Sequence, residues 1–221
     1  MQVYELPSAN RPGMSTLKIA AYQMHVTPDL EVNYGKILDA IGAAADAGAG
    51  MIALPECALS GYPPLHHAGP GDIDLDRIAE FNRQVIRAVG EAGIWMILGT
   101  ITEGQDRPLN SALVISPHGE LVGRYDKMHL MPDDRRFFAP GTGLRAFSAG
   151  GMAFGVQICY DARFPEGFRH LREQGARLIV IISNACGGDT WKLPVLEGTY
   201  RTRASENTCF IVAVNAAGPL Q

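Results

Sequence analysis

The run "LIVII" at residues 178–182 constrains this chain more than any other stretch. Every residue in it is apolar, so as a strand it needs cover on both faces. It is far too short to span a bilayer, which takes about 20 residues of helix. Residues 51–54 ("MIAL") and 210–215 ("FIVAVN") read the same way. Between such runs lie segments with apolar residues at helical spacing. Residues 32–47 carry Ile37, Leu38, Ile41 and Ala45, and residues 74–92 carry Ile78, Phe81, Val85 and Val89. Buried strands alternating with amphipathic helices predict an α/β layered domain, with sheet inside and helices outside.

The remaining pattern fills in the layers. Residues 17–24, 94–100 and 177–183 read as strands. Residues 110–116 with 121–125, and 145–147 with 152–158, read as hairpins across Gly-bearing turns. Residues 165–174 and 191–207 read as helices, the first opening on Pro165 with Glu166 where the helix dipole favours an anion. No linker or repeat divides the chain, so one domain is expected over residues 17–221. Residues 1–16 read as a loose leader, within which Met14 could be the original start. The strand at 210–215 wants neighbours on both sides, so either the domain is incomplete at the C-terminus or a partner covers that edge.

Composition narrows the function classes. Hydrophobic residues make up 47% and charged residues 19% of the 221, which fits a packed domain and not a disordered chain. The formal net charge is −4 and no Lys/Arg cluster occurs, so nucleic acid and anionic membrane surfaces are not expected partners. The four cysteines, Cys57, Cys159, Cys186 and Cys209, show no zinc spacing and no dense disulfide framework. A reducing, cytoplasmic setting is expected. His66-His67 looks like a metal pair, but neighbours on a loop point apart and no third ligand is spaced to help, so no metal is expected.

Three places share one grammar: an apolar strand, a reactive side chain, then a turn. "MIALPECALSGYPP" leaves Glu56 at a strand end, "GRYDKMHLMP" leaves Lys127 just past one, and "GVQICYDARFPE" does the same with Cys159. Reactive groups in open α/β sheets gather beyond strand ends. Taken singly, each has an ordinary explanation: a core cysteine, a turn-capping acid, a solvated lysine. Taken together, a carboxylate, an ammonium and a thiol could run acyl transfer, with base, oxyanion cation and nucleophile in that order. Residue chemistry leaves both readings open.

The same blocks, "LPECALSGYPP", "YDKMHLMP" followed by "FFAPG", and "GVQICYDARFPE", resemble the signature blocks of the carbon–nitrogen hydrolase (nitrilase) superfamily. "RTRASENTCFIVAVN" is similar to its segment near the last helix. The blocks occur in the family's order over nearly the whole chain. The resemblance implies a four-layer α-β-β-α sandwich that dimerises through its helices into a longer stack, as a homodimer or higher homo-oligomer, and no cofactor. It implies Glu56 as base, Lys127 as oxyanion cation and Cys159 as nucleophile, with the backbone N–H of Tyr160 as a second oxyanion donor.

Further roles follow from the same resemblance. Many relatives carry an auxiliary glutamate before the aromatic pair. Asp134 aligns there, one methylene shorter, with Asp133 as the fallback; a solvated loop acid beside Arg135 and Arg136 is the alternative. Tyr62 and Asn184 lie just past strand ends and are expected to contact substrate. Arg163 is expected to pair with Asp161 or Glu166, and His129 to support Lys127. The Cys-Tyr-Asp sequence looks like the amidase and carbamoylase branches. Hydrolysis of a small linear amide, ω-amide or N-carbamoyl compound through a thioester is therefore expected. Nitrile hydrolysis, acyl transfer to an amine and a non-catalytic binding role are the alternatives.

Overall fold

A computed structural model describes residues 1–6, 16–185 and 190–218. Met14 and Cys186 lie outside the described residues. Strand β1 (Gln2–Leu6) pairs antiparallel with β2 (Leu17–Ala21). Helix α1 (Leu30–Asp46) then leads to β3 (Met51–Ala53). A short helix α2 (Pro63–His66) follows, begun by the paired prolines whose fixed φ suits a first helical turn. Helix α3 (Leu75–Ala92) precedes β4 (Trp95–Thr102), β5 (Leu109–Ile115) and β6 (Leu121–Asp126). The second half comprises β7 (Phe147–Ala149), β8 (Met152–Ile158), α4 (Pro165–Glu173), β9 (Leu178–Ser183), α5 (Leu193–Asn207) and β10 (Phe210–Asn215).

The strands form two sheets, ordered β1-β2-β3-β4-β5-β6 and β10-β9-β8-β7. Alternation along each strand sorts its side chains into layers. Ile19, Met51, Ile97 and Val114 face Phe154, Val156, Val180 and Val212 of the second sheet and form the inner core. Their sequence neighbours Ala20, Ile52, Met96 and Leu113 pack against α1 and α3 through Ile37, Ile41, Val85 and Val89. On the other side Ile179 and Ile181 meet Phe168 and Leu171 of α4 and Tyr200 of α5. The result is an α-β-β-α sandwich. The both-faces burial of "LIVII" is thereby explained: one face meets the other sheet and one meets α4 and α5.

The helix ends are set locally. Asp29 accepts from the Val32 N–H (3.0 Å) and starts α1 two residues ahead of the expected boundary. Asp74 does the same for α3 through Arg77 (3.0 Å), and Gly93 ends it in the left-handed region.

One expectation is corrected. The first six residues are not a loose leader, because Gln2–Leu6 form the edge strand of the larger sheet. Backbone pairing with β2 holds this strand, and only Leu6 is buried, so side-chain pattern gave no sign of it. At the far end, β10 has β9 on one side, and among the described residues no strand pairs with its other side. The Ala217 N–H, just beyond it, donates to the Met24 carbonyl of the first sheet (2.9 Å). No helix among the described residues is long and apolar enough to cross a membrane.

Candidate active site

Three turns bring the reactive side chains to one end of the seam between the sheets. The first follows β3. Leu54 still pairs with Ile97 of β4 (3.0 Å), then the chain turns through Pro55-Glu56-Cys57, with Cys57 at φ +51°. Gly99 of β4 makes room: a Cβ there would lie 2.0 Å from the Pro55 carbonyl oxygen. The second follows β6. The Lys127 N–H donates to the Asn110 carbonyl (2.8 Å), and its own carbonyl accepts from Gly141 (2.9 Å), so the backbone is held on both sides. The third follows β8. Cys159 sits at φ +48°, in a left-handed conformation that costs a non-glycine residue about 1–3 kcal/mol. A helical turn over Cys159–Arg163 then runs into α4. Arg203 of α5 holds that turn from outside, donating to the carbonyls of Ala162 (3.2 Å) and Arg163 (3.1 Å).

Glu56, Lys127 and Asp134 are all but fully buried, at 0%, 1% and 0% exposure. Lys127 Nζ donates to Glu56 Oε1 (2.7 Å) and to Asp134 Oδ2 (2.8 Å). Glu56 Oε1 also accepts from Asn110 Nδ2 (2.7 Å), and Oε2 from the Asn184 N–H (2.8 Å). Asp134 accepts from the Tyr62 hydroxyl (2.5 Å) and the Met131 N–H (3.0 Å). Ions buried in this way cost several kcal/mol each unless every lone pair and proton is used. Here each carboxylate oxygen has a donor.

The electrostatics follow from burial and from two carboxylates around one ammonium. Burial disfavours the Lys127 ammonium, but Glu56, Cys159 and Asp134 together outweigh it and hold Lys127 above its ordinary range. Burial raises the Cys159 thiol, the neighbouring Glu56 charge raises it further, and Lys127 opposes. The Glu56 carboxylate thus stands near enough to the Cys159 sulfur to bear on its proton. Such a set can move one proton from sulfur to oxygen while an ammonium stands by for a developing negative charge.

The structure brings Glu56, Lys127 and Cys159 together, with Asp134 beside Lys127. Asp133 is exposed. Tyr160 follows Cys159 in the turn and its ring meets Phe164 edge-on, centroids 5.4 Å apart. The Tyr62 hydroxyl is taken up by Asp134. Asn184 gives its backbone N–H to Glu56, while its Nδ2 is buried with no partner among the described residues. His66 Nδ1 accepts from the Tyr62 N–H (3.0 Å), and among the described residues no group of His, Cys, Asp and Glu is arranged to hold a metal ion.

One expectation is corrected, the pairing of Arg163 with a carboxylate. The Asp161 carboxylate takes donors from Tyr125, His129 and Ile158, so Arg163 instead lies over the Tyr160 ring at 5.4 Å. His129 bonds to Asp161 and stacks on Phe164 (3.6 Å, 8°). Sequence reasoning also missed Asn110, whose backbone holds Lys127 and whose side chain holds Glu56. Its signal was an amide opening an apolar strand, "NSALVIS", where nothing else polar and large is buried.

Comparison with known proteins agrees with this architecture. Over 211 residues the chain is 33% identical to a nitrilase of Pyrococcus abyssi, covering 91% of this chain and 76% of that one. It is 31% identical to an (R)-stereoselective amidase of a Pseudomonas species, covering 86% and 67%. The crystal structure of an amidase from a Nesterenkonia species superposes with a TM-score of 0.83 at 26% identity, covering 92% of this chain and 77% of that one. A mutant of that amidase has been solved with acrylamide added to its active-site cysteine. The family model described as carbon-nitrogen hydrolase matches residues 18–221. With that match running through all three turns, the chain belongs to the carbon-nitrogen hydrolases, enzymes acting on C–N bonds other than peptide bonds.

Proposed function

We propose that this chain hydrolyses a small linear amide, ω-amide or N-carbamoyl compound through a thioester on Cys159. The observation that carries the reading is the buried Lys127–Glu56 contact, with Cys159 on the strained turn that follows β8 beside it. Glu56 takes the thiol proton as sulfur adds to the carbonyl carbon. The carbonyl oxygen becomes an oxyanion, met by the Lys127 ammonium and the Tyr160 N–H. Glu56 returns the proton to nitrogen, the C–N bond breaks, and ammonia or an amine leaves. Water gives a proton to Glu56 and attacks the thioester, and the proton passes to sulfur as the acid departs. General base and oxyanion contributions are each worth roughly 10²–10⁴ in rate.

Asp134 takes the auxiliary acid's place, holding Lys127 while leaving the cation free to tilt toward an oxyanion. The unpartnered Asn184 Nδ2 suits a substrate oxygen. Amide is favoured over nitrile because the Pseudomonas and Nesterenkonia relatives are amidases. Nitrile hydrolysis is the second reading, favoured by the Pyrococcus abyssi relative's being a nitrilase.

The test is ammonia release from a panel of small amides, ω-amides, N-carbamoyl amino acids and nitriles, with Cys159→Ala beside the wild type and intact mass taken during turnover. Release from one class, lost in the variant, with a covalent adduct on Cys159, is the expected result. A folded wild type that releases nothing and carries no adduct would point to the non-catalytic binding role.

A further inference from the structure

Asp161 is a buried carboxylate that the reaction above does not use. Its position is unusual. Oδ2 accepts from the Tyr125 hydroxyl (2.8 Å) and from the Ile158 N–H (3.2 Å). Oδ1 accepts from the His129 N–H (2.8 Å) and lies 2.8 Å from His129 Nδ1. Tyr125 and His129 stand two residues before and two after Lys127. Ile158 immediately precedes Cys159, and Asp161 itself stands two residues after it. One side chain therefore grips the chain on both sides of the lysine and on both sides of the cysteine.

Both gripped segments need such support. Cys159 holds a left-handed conformation that a free turn would leave. Lys127 begins a loop after β6 whose next neighbours, Met128 and His129, belong to no strand or helix. The two segments come from different sheets, β6 from the six-stranded and β8 from the four-stranded one. His129 completes the grip by stacking its ring on Phe164, the residue that ends the Cys159 turn. A single-sheet turn would need only the Ile158 bond. The bonds to Tyr125 and His129 do something else, which is to fix the distance between the lysine loop and the cysteine turn.

We propose that Asp161 is a positioning residue for catalysis, setting the Cys159 sulfur against Lys127 and Glu56 by bracketing both segments. This rests on the roles assigned to those three residues above. It makes two distinct demands. Turnover must depend on Asp161 beyond its effect on stability, and the environment of the Cys159 thiol must change when the bracket is loosened.

Two variants test it. In Asp161→Asn, the amide oxygen can still accept from His129 and the amide nitrogen can donate to Tyr125. The Ile158 N–H then faces a donor. Tyr125→Phe removes one hydroxyl and keeps the ring in the inner core. Kinetics on the amide that the panel identifies are measured beside the pH profile of Cys159 alkylation by iodoacetamide, with melting followed by circular dichroism. Expected are a kcat loss of about 100-fold in Asp161→Asn and about 10-fold in Tyr125→Phe, with KM changed by less than about twofold. The alkylation midpoint should move down toward the ordinary thiol range, because a released sulfur escapes burial and Glu56. If Asp161→Asn does not fold, Tyr125→Phe decides alone. A folded Tyr125→Phe, with or without a lower melting temperature, that keeps wild-type kcat and alkylation profile overturns the proposal. If the wild type turns over no amide or nitrile, the functional reading fails, while the alkylation profile still reports on the bracket.

Discussion

Lys127 is the residue on which the most depends, because it stands between two buried carboxylates. Lys127→Met keeps the stem's packing and removes the cation. Glu56 and Asp134 would then face each other without a counter-charge, and breaking a buried pair in this way costs about 3–5 kcal/mol. The expected outcome is a large fall in melting temperature together with a kcat loss of at least about 10²-fold at a temperature where the variant is still folded. A variant that melts like wild type would show that the three groups are not jointly ionised. His66 offers a pH test at the same scale. Its Nδ1 accepts from the Tyr62 N–H, so only the neutral ring serves. Burial lowers its pKa, and like charge on His67 and His25 adds to this. A histidine with a depressed folded pKa contributes stability that is full above about pH 6.5 and is lost as pH falls through the lowered value. Melting temperature measured from about pH 8 down to about pH 5 should show that loss. His66→Asn, which keeps an acceptor that cannot titrate, should flatten it; an unchanged slope in the variant would remove His66 from the account.

At the scale of elements, what matters is how turns are wedged against strands. Gly99 sits in the middle of β4, where a side chain would ordinarily strengthen the strand. A Cβ there meets the Pro55 oxygen at 2.0 Å and the Cys57 nitrogen at 2.8 Å. Gly99→Ala must therefore push the Glu56 turn outward. Expected are a stability loss of about 1–3 kcal/mol and a kcat loss near 10²-fold with little change in far-ultraviolet circular dichroism. Gly42→Ala is the contrast: it is exposed within α1 with nothing within 4 Å of the added carbon, and should stabilise by about 0.5–1 kcal/mol. Both are read from urea denaturation. This contrast also shows what the sequence made legible. Apolar runs and helical spacing located all of the long elements, and the strand-residue-turn grammar singled out Glu56, Lys127 and Cys159, which the structure brings together, because burial and turn chemistry are local properties. Asn110, the Asp161 contacts and the wedge at Gly99 were not legible. Each depends on which strand lies beside which, and pairing between distant segments leaves no mark at the residue itself. Strand β1 escaped for a related reason, since its ladder is backbone and its side chains are mostly exposed.

At the scale of the molecule, the site belongs to neither sheet. Glu56 and Lys127 follow strands of the six-stranded sheet, while Cys159 and Asn184 follow strands of the four-stranded one. The inner core of Ile19, Met51, Ile97, Phe154, Val156 and Val180 is what holds those halves in register. Sheets packed this densely do not slide by small amounts; they are docked or they are not. Catalytic geometry should therefore vanish with the sandwich itself and not through a partly opened state. In urea, loss of ammonia release and loss of far-ultraviolet circular dichroism are expected to superimpose as one transition. Phe154→Ala, which empties space between the sheets beside Trp95 and Phe147, should shift both curves together by about 3–5 kcal/mol. Its kcat in the absence of urea should stay near wild type, because its ring partners, Trp95 and Phe147, are not among the reacting groups. If activity fell away at distinctly lower urea than the circular dichroism signal, the halves of the site would be separating while both sheets persisted. The inner core would then be a sliding interface, and the register of Cys159 against Glu56 would have to be held chiefly by the polar contacts that cross the seam: Asn184 to Glu56, and Tyr125 and His129 to Asp161.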